Sequence, residues 1–282
     1  MTPTIPIRVG HSPDPDDAFM FFALAEGRLD TGPYRFTHEM ADIESLNRRA
    51  EAGELEVSAI SIHAYPFIRQ RYALLGCGCS MGDGYGPKVV SREPLTTARL
   101  HARTIAVPGE RTTAFLALCL CLGKGTFVHQ VMPFDAIPDA VARGGVDAGL
   151  IIHEAQLTYQ RMGLHQVVDL AEWWGGQTGL PLPLGGNVVR RDLGPAVCRD
   201  VARLIRASVE YGLAHRREAV AYALRFGRDL DLDLTDRFIE MYVNRWTVDY
   251  GDRGRAAVRE LLRQAHDVGL TPDAGEIDFI EP

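Results

Sequence analysis

The feature that most constrains this chain is an alternation of short β-patterned runs with helix-patterned runs along its first hundred residues. Ile5, Ile7 and Val9 alternate as a strand, and His11-Ser12-Pro13 follows as a loop. Asp14 then stands at a helix cap position, with Pro15 in the first turn and Phe19 to Leu24 as the helix body. A second unit starts at Tyr34-Arg35-Phe36, enters a helix through Asp42, stops at Gly53 and resumes as a strand from Glu56 to Ile62. Strand, helix and strand in that order predict an α/β fold with parallel strands joined by right-handed crossovers.

The pattern restarts further on. After a Gly-rich loop from Gly76 to Gly86 comes a strand at Lys88-Val89-Val90. A fresh unit then runs through strand Thr104 to Val107, loop Pro108 to Arg111 and helix Thr112 to Leu122. A six-residue echo links the two stretches: Gly53-Glu54-Leu55-Glu56-Val57-Ser58 and Gly144-Gly145-Val146-Asp147-Ala148-Gly149 each lead from a helix into a strand. Two related lobes would produce it, and so would ordinary helix-Gly-strand punctuation. From Gly194 the pattern turns helical, with Val201, Leu204, Ile205 and Ser208 sharing one face. These helices are expected to complete the first lobe. The resulting division is a large lobe of 1–99 and 191–282 and a small lobe of 100–190 inserted between, with a ligand cleft between them.

With 30 Lys and Arg against 37 Asp and Glu in 282 residues, the net charge is −7, which gives no general reason to bind nucleic acid or an anionic membrane surface. The longest apolar stretches, such as Ala114 to Gly123, are too short to span a bilayer, and the first residues do not read as a secretory signal. A cytoplasmic protein with a small-molecule partner is expected. The five cysteines, Cys77, Cys79, Cys119, Cys121 and Cys198, lack zinc-knuckle and redox spacing and read as small apolar residues.

In open α/β sheets, ligands sit beyond the carboxyl ends of the parallel strands. The segment Val107-Pro108-Gly109-Glu110-Arg111-Thr112-Thr113 passes from strand into helix there, which predicts a grip for a carboxylate or phosphate, or a simple Thr cap. It lacks the Gly-Lys-Ser/Thr of a P-loop, and Gly82-x-Gly84-x-Gly86 lacks the helix of a dinucleotide fingerprint. His153, after Leu150-Ile151-Ile152 and before Glu154, suits a general base. His63 and His11 occupy equivalent strand ends, and position alone does not choose among the three. A zinc site built from them is conceivable, although no pair has the spacing of helical zinc ligands. Asp14-Pro15-Asp16-Asp17 is read as carboxylates complementing the dipole of a helix. Trp173-Trp174 and the following run to Gly186 read as a lid or hinge, or as core packing.

Several of these stretches occur together in a known family. Ser12-Pro13-x-Pro15-x-Asp17-x-Phe19, Asp42-Ile43-Glu44-x-Leu46-Asn47, Val107-Pro108-Gly109-x-x-Thr112-Thr113-Ala114, Ala148-Gly149-Leu150-Ile151-Ile152-His153-Glu154 and Thr178-Gly179-Leu180-Pro181-Leu182-Pro183-Leu184-Gly185 run in the order seen in the 1,4-dihydroxy-6-naphthoate synthases of the futalosine route to menaquinone. The chain resembles that family over nearly its whole length. The resemblance implies a two-lobed fold similar to type II periplasmic binding proteins. It also implies a carbon–carbon lyase that converts cyclic dehypoxanthinyl futalosine to 1,4-dihydroxy-6-naphthoate and dihydroxyacetone, with no metal or organic cofactor. By the same resemblance His153 is the base, and Ser58, Ser61, Thr112, Thr113, Asn47 and Glu154 form the expected binding set for an anionic substrate. The first loop departs from the family octet Ser-Pro-Cys-Pro-Asn-Asp-Thr-Phe at Asp14, Asp16 and Ala18, which adds negative charge. Two other readings use the same fold: a solute-binding receptor, disfavoured by the missing export signal, and a chorismate dehydratase, which lacks the Ile-Ile-His-Glu signature.

Overall fold

The computed structural model describes residues 4–227 and 230–282. The chain begins with β1 (Ile5–His11), α1 (Pro15–Ala25), β2 (Tyr34–Met40), α2 (Ile43–Ala52), β3 (Val57–Ser61), α3 (Tyr65–Ile68), β4 (Tyr72–Leu75) and β5 (Ser80–Gly82). It continues with β6 (Lys88–Ser91), β7 (Thr104–Val107), α4 (Thr113–Leu122), β8 (Val128–Val131), α5 (Ile137–Ala142), β9 (Ala148–Ile151), α6 (Ala155–Thr158), β10 (His165–Asp169) and α7 (Leu170–Thr178). It ends with β11 (Leu182–Arg190), α8 (Pro195–Ala214), α9 (Arg216–Ala223), α10 (Leu232–Tyr242), α11 (Arg245–Val248), α12 (Gly251–Asp267) and β12 (Phe279–Ile280).

Local sequence accounts for these elements. In β1, Ile7 and Val9 are buried while Pro6 and Arg8 face out, and the strand becomes wholly buried at Gly10 and His11 as it reaches the cleft. Gly10 has to be glycine, because a Cβ there would lie 2.4 Å from the Leu55 side chain. The Asp42 carboxylate caps α2 by accepting from Ser45 N at 3.0 Å, and Gly53 ends that helix at φ +75°.

Among the described residues, one sheet has the order β12-β4-β11-β3-β1-β2, with β5 also paired to β11, and the other has the order β10-β6-β9-β7-β8. The two share one plan. β1 pairs in parallel with β2 and β3, as β7 pairs in parallel with β8 and β9. An antiparallel strand then flanks the third member, β11 beside β3 and β6 beside β9. The sequence echo falls at equivalent points, since Gly53 and Gly144 both take φ +75° just before β3 and β9. An apolar cluster runs through both lobes and includes Ile60 and Leu74 of the first sheet with Val89, Ile105 and Leu150 of the second. A second cluster lies where α8, α9 and α10 pack on α1.

Two expectations are corrected. β6 falls before the expected boundary at residue 100 yet bonds within the five-stranded sheet. β11 falls before the boundary at residue 191 yet bonds within the seven-stranded one. The chain therefore crosses between sheets at residues 83–87 and 179–181. Val-Val runs in either sheet look alike in sequence, so the crossings could not be placed from it. Within the run to Gly186, residues 179–181 form one of the two crossings and Leu182–Arg190 is a nine-residue strand. Trp174 is core: it is fully buried, and its indole N–H donates to Pro181 O at 3.1 Å. Four of the five cysteines are buried and all are free thiols, with burial pushing Cys77 up to about 12. No helix among the described residues is long and apolar enough to cross a membrane.

Candidate active site

The carboxyl ends of β1, β3, β7 and β9 face one cleft between the two sheets, with a cavity of about 110 Å³, room for several waters. Its lining includes Ser12, Asp14, Asp16, Asp17, Ser61, Thr112, Thr113 and His153.

The loop between β1 and α1 folds on its own carboxylates. Ser12 N donates to Asp17 Oδ2 at 2.7 Å, and the Ser12 hydroxyl donates to Asp14 Oδ2. Asp14 holds the N-cap position of α1, but its side chain makes no capping hydrogen bond. Instead its Oδ2 lies 3.1 Å from Nδ1 of His153. The dipole reading of this acidic cluster therefore covers Asp16 and Asp17, which sit in the first turn, and misses where the Asp14 carboxylate goes. Burial, and then the charge of the other carboxylates, pushes Asp16 up to about 6 and Asp17 well above the usual carboxylate range.

His153 comes from just beyond β9. Its φ of +54° is unusual for any residue but glycine, and it turns the chain sharply as the strand leaves the sheet. The ring is 16% exposed and meets Phe134 edge-on at 4.6 Å between centroids. Of the three competing histidines, His153 alone lines the cavity. His11 stacks on Phe21 at 4.9 Å, with its Nδ1 3.0 Å from Ser12 O. His63 lies beyond β3 with its Nδ1 3.2 Å from Thr112 O, and burial drives it down to about 4. Among the described residues, no group of three or more His, Cys, Asp or Glu is arranged to hold a metal ion.

The other strand-to-helix loop is built from neutral groups. Thr112 caps α4, its hydroxyl accepting from Phe115 N at 3.2 Å and donating to Gly109 O at 2.8 Å. The Thr113 hydroxyl donates to Leu184 O of β11 at 2.6 Å and accepts from His63 N at 3.1 Å. Both threonines line the cavity, but both hydroxyl protons are used within the protein. What this loop offers a ligand is the pair of backbone N–H groups at Thr113 and Ala114, which no turn of helix precedes. Ser61 differs. Its hydroxyl accepts from Asn47 Nδ2 at 3.1 Å and its N–H donates to Asn47 Oδ1 at 2.8 Å, which aims the side chain while its own proton has no acceptor among the described residues.

Ser61, Thr112, Thr113 and His153 thus converge on the cavity, and three expected residues do not line it. Asn47 is fully buried behind Ser61 and supports it. Ser58 is buried, with its hydroxyl donating to Ala59 O at 2.9 Å. Glu154, next to His153, lies outside the lining. Sequence reasoning missed four participants. Tyr242 donates to Gln156 Oε1 at 2.8 Å across the two lobes, and both line the cavity. Asn187 of β11 lines it as well, giving Nδ2 to Gly78 O at 2.7 Å while its buried Oδ1 has no partner among the described residues. Arg111 is clasped along one face of α2: its N–H donates to Glu44 at 3.0 Å, its carbonyl accepts from Asn47 at 3.3 Å, and its guanidinium meets Glu51 at 2.7 Å. The i, i+3, i+7 spacing of Glu44, Asn47 and Glu51 was the one available signal.

A sequence model of the menaquinone biosynthesis family matches residues 7–267, which include every cavity residue named above. The chain belongs to this family. A 1,4-dihydroxy-6-naphthoate synthase from Thermus thermophilus is 43% identical over 94% of this chain and 95% of its own. One from Streptomyces coelicolor is 42% identical over 95% of this chain and 96% of its own. The crystal structure of an Archaeoglobus fulgidus protein superposes with a TM-score of 0.90 at 45% identity, covering 94% of this chain and 98% of that one. A Candida albicans protein described as having the generic periplasmic binding protein fold superposes with a TM-score of 0.72 at 14% identity, covering 96% and 93%. The fold of this family member is accordingly the two-lobed, periplasmic-binding-protein-like α/β fold.

Proposed function

We propose that this chain is a 1,4-dihydroxy-6-naphthoate synthase, a carbon–carbon lyase that converts cyclic dehypoxanthinyl futalosine to 1,4-dihydroxy-6-naphthoate and dihydroxyacetone, with His153 as general base. The observation that carries the reading is the position of His153. Alone among the strand-end histidines it lines the cavity, in a chain 43% identical end to end to a synthase of that name. The chemistry asks for few parts: a base for a proton made acidic by a neighbouring carbonyl, a site closed to water, and fixed donors for developing negative charge while one fragment leaves and a ring becomes aromatic. His153 supplies the base, and the contacts between the lobes supply the closure.

The substrate's carboxylate is assigned to the N-terminus of α4, where the Thr113 and Ala114 amides and the Ser61 hydroxyl can donate. This accounts for an anion in a chain of net charge −7 without a basic pocket. The test is turnover of the cyclic substrate by purified protein, with both products followed by mass spectrometry. Folded wild-type protein that makes neither product, or a His153→Ala variant with full activity, overturns the reading. A tight complex with the substrate that never turns over would favour the receptor instead.

A further inference from the structure

The Asp14 carboxylate and the His153 imidazole come from different lobes, one from the start of α1 and the other from beyond β9, and they meet at the cavity with 3.1 Å between Oδ2 and Nδ1. We propose that Asp14 is a positioning residue for the base: its carboxylate holds His153 as the Nδ1–H tautomer, leaves Nε2 as the nitrogen that takes the proton, and stabilises the imidazolium that results. The proposal rests on His153 being the base of the function proposed above.

Three features of the site support it. First, the Asp14 side chain is 4% exposed and the Ser12 hydroxyl donates to the same Oδ2, so the carboxylate is oriented from behind. An aspartate that merely capped α1 would spend that oxygen on the helix amides, and this one makes no capping bond. Second, the N-terminus of α1 favours an anion at this position. The Asp14 carboxylate oxygen lies 3.1 Å from the ring nitrogen, so the charge facing the imidazole is assigned to Asp14. Third, the positive φ of His153, unusual for a residue with a side chain, falls at the point where its ring meets Asp14. The titratable groups around the imidazole are Asp14 and Asp16 from α1, Asp135 next to the Phe134 ring that packs on it, and Glu154 beside it in sequence. Asp14 is the one for which a contact distance is established. A carboxylate on the far nitrogen of a catalytic histidine sets tautomer and basicity in the same way elsewhere.

The test uses the full-length protein and two readouts. Long-range proton–nitrogen NMR of the imidazoles reads the tautomer and titration midpoint of His153, assigned by comparison with His153→Asn, whether or not the protein turns over. In wild type the Nδ1–H form is expected, and in Asp14→Asn the midpoint should fall by about one pH unit or more as the carboxylate's charge is lost. In steady-state kinetics Asp14→Asn should lower kcat by about 100-fold or more with KM little changed, and Asp14→Glu should recover part of that loss. An Nε2–H tautomer in wild type, or a midpoint and kcat unchanged in Asp14→Asn, overturns the proposal. If wild type fails to turn over at all, the function proposed above falls, while the NMR still decides whether Asp14 governs the imidazole.

Discussion

The two lobes place a histidine at the same point of the same topology and treat it in opposite ways. His153 leaves β9 and meets the N-cap residue of α1, and His63 leaves β3 and meets the N-cap residue of α4. Each histidine therefore crosses to the helix of the other lobe. Where α1 presents a carboxylate, α4 presents a threonine, its carbonyl and its neighbour's hydroxyl. His63 sits out of the cavity, where burial and the Arg111 guanidinium outweigh the Glu51 carboxylate and keep it neutral as it joins the two lobes. His153 faces an anion and the cavity together. One scaffold sets a histidine against a carboxylate on one side and against hydroxyl and carbonyl groups on the other, and the difference lies in a few side chains at two helix starts.

The sharpest way to break this comparison is to change each histidine to asparagine. His153→Asn should lower kcat by about 10²–10⁴-fold with the melting temperature nearly unchanged. His63→Asn should leave kcat within a few-fold and lower the melting temperature, and steady-state kinetics beside calorimetry would check the pair. Equal effects from the two would erase the distinction.

The carboxylates of the α1 half carry a cost that the α4 half lacks. Asp16 is raised to about 6 in the folded protein, so the folded state holds a proton that the unfolded chain has released between about pH 4 and 6. Stability is lost through that window as pH rises. Asp16→Asn should therefore stabilise the protein at pH 7 by up to about 3 kcal/mol, with the gain vanishing below about pH 4 in chemical denaturation.

The α4 half should respond through packing rather than charge. Thr113→Val removes the donor to Leu184 O and the acceptor of His63 N, and should cost about 1–3 kcal/mol. Thr112→Ala should cost about 1 kcal/mol as a lost cap. His63, lowered to about 4, is neutral when folded while the unfolded chain takes up a proton below about pH 6.5. Its contribution is thus lost as pH falls from about 6.5 to 4, and His63→Gln should flatten that part of the stability curve measured by denaturant titration.

Much of this was legible in the sequence because it was local. The β1-loop-α1 and β7-loop-α4 units follow from alternation, Pro15, Thr112 and the small residues of each loop, and the echo at Gly53 and Gly144 marks the shared plan. Which sheet receives β6 and β11 was not legible, since a buried strand does not name its neighbours. The site divides in the same way. Ser61, Thr112, Thr113 and His153 follow from being at strand ends. The Asp14 contact with His153, the clasp of α2 on Arg111 and the Tyr242 bond to Gln156 join residues far apart in the chain, and only the meeting of the lobes brings them together. Asp14 read in the sequence as a helix cap and as a charge in a loop that departs from the family octet, not as a partner of His153.

The central claim is that the His153 half takes the proton and the His63 half does not. The pH dependence of kcat/KM tests it most directly, because its acid limb reports the base of the free enzyme. The account predicts a single acid limb in wild type that is absent from the residual activity of His153→Asn and unaltered in His63→Asn. A limb that survives in His153→Asn, or disappears in His63→Asn, would contradict it.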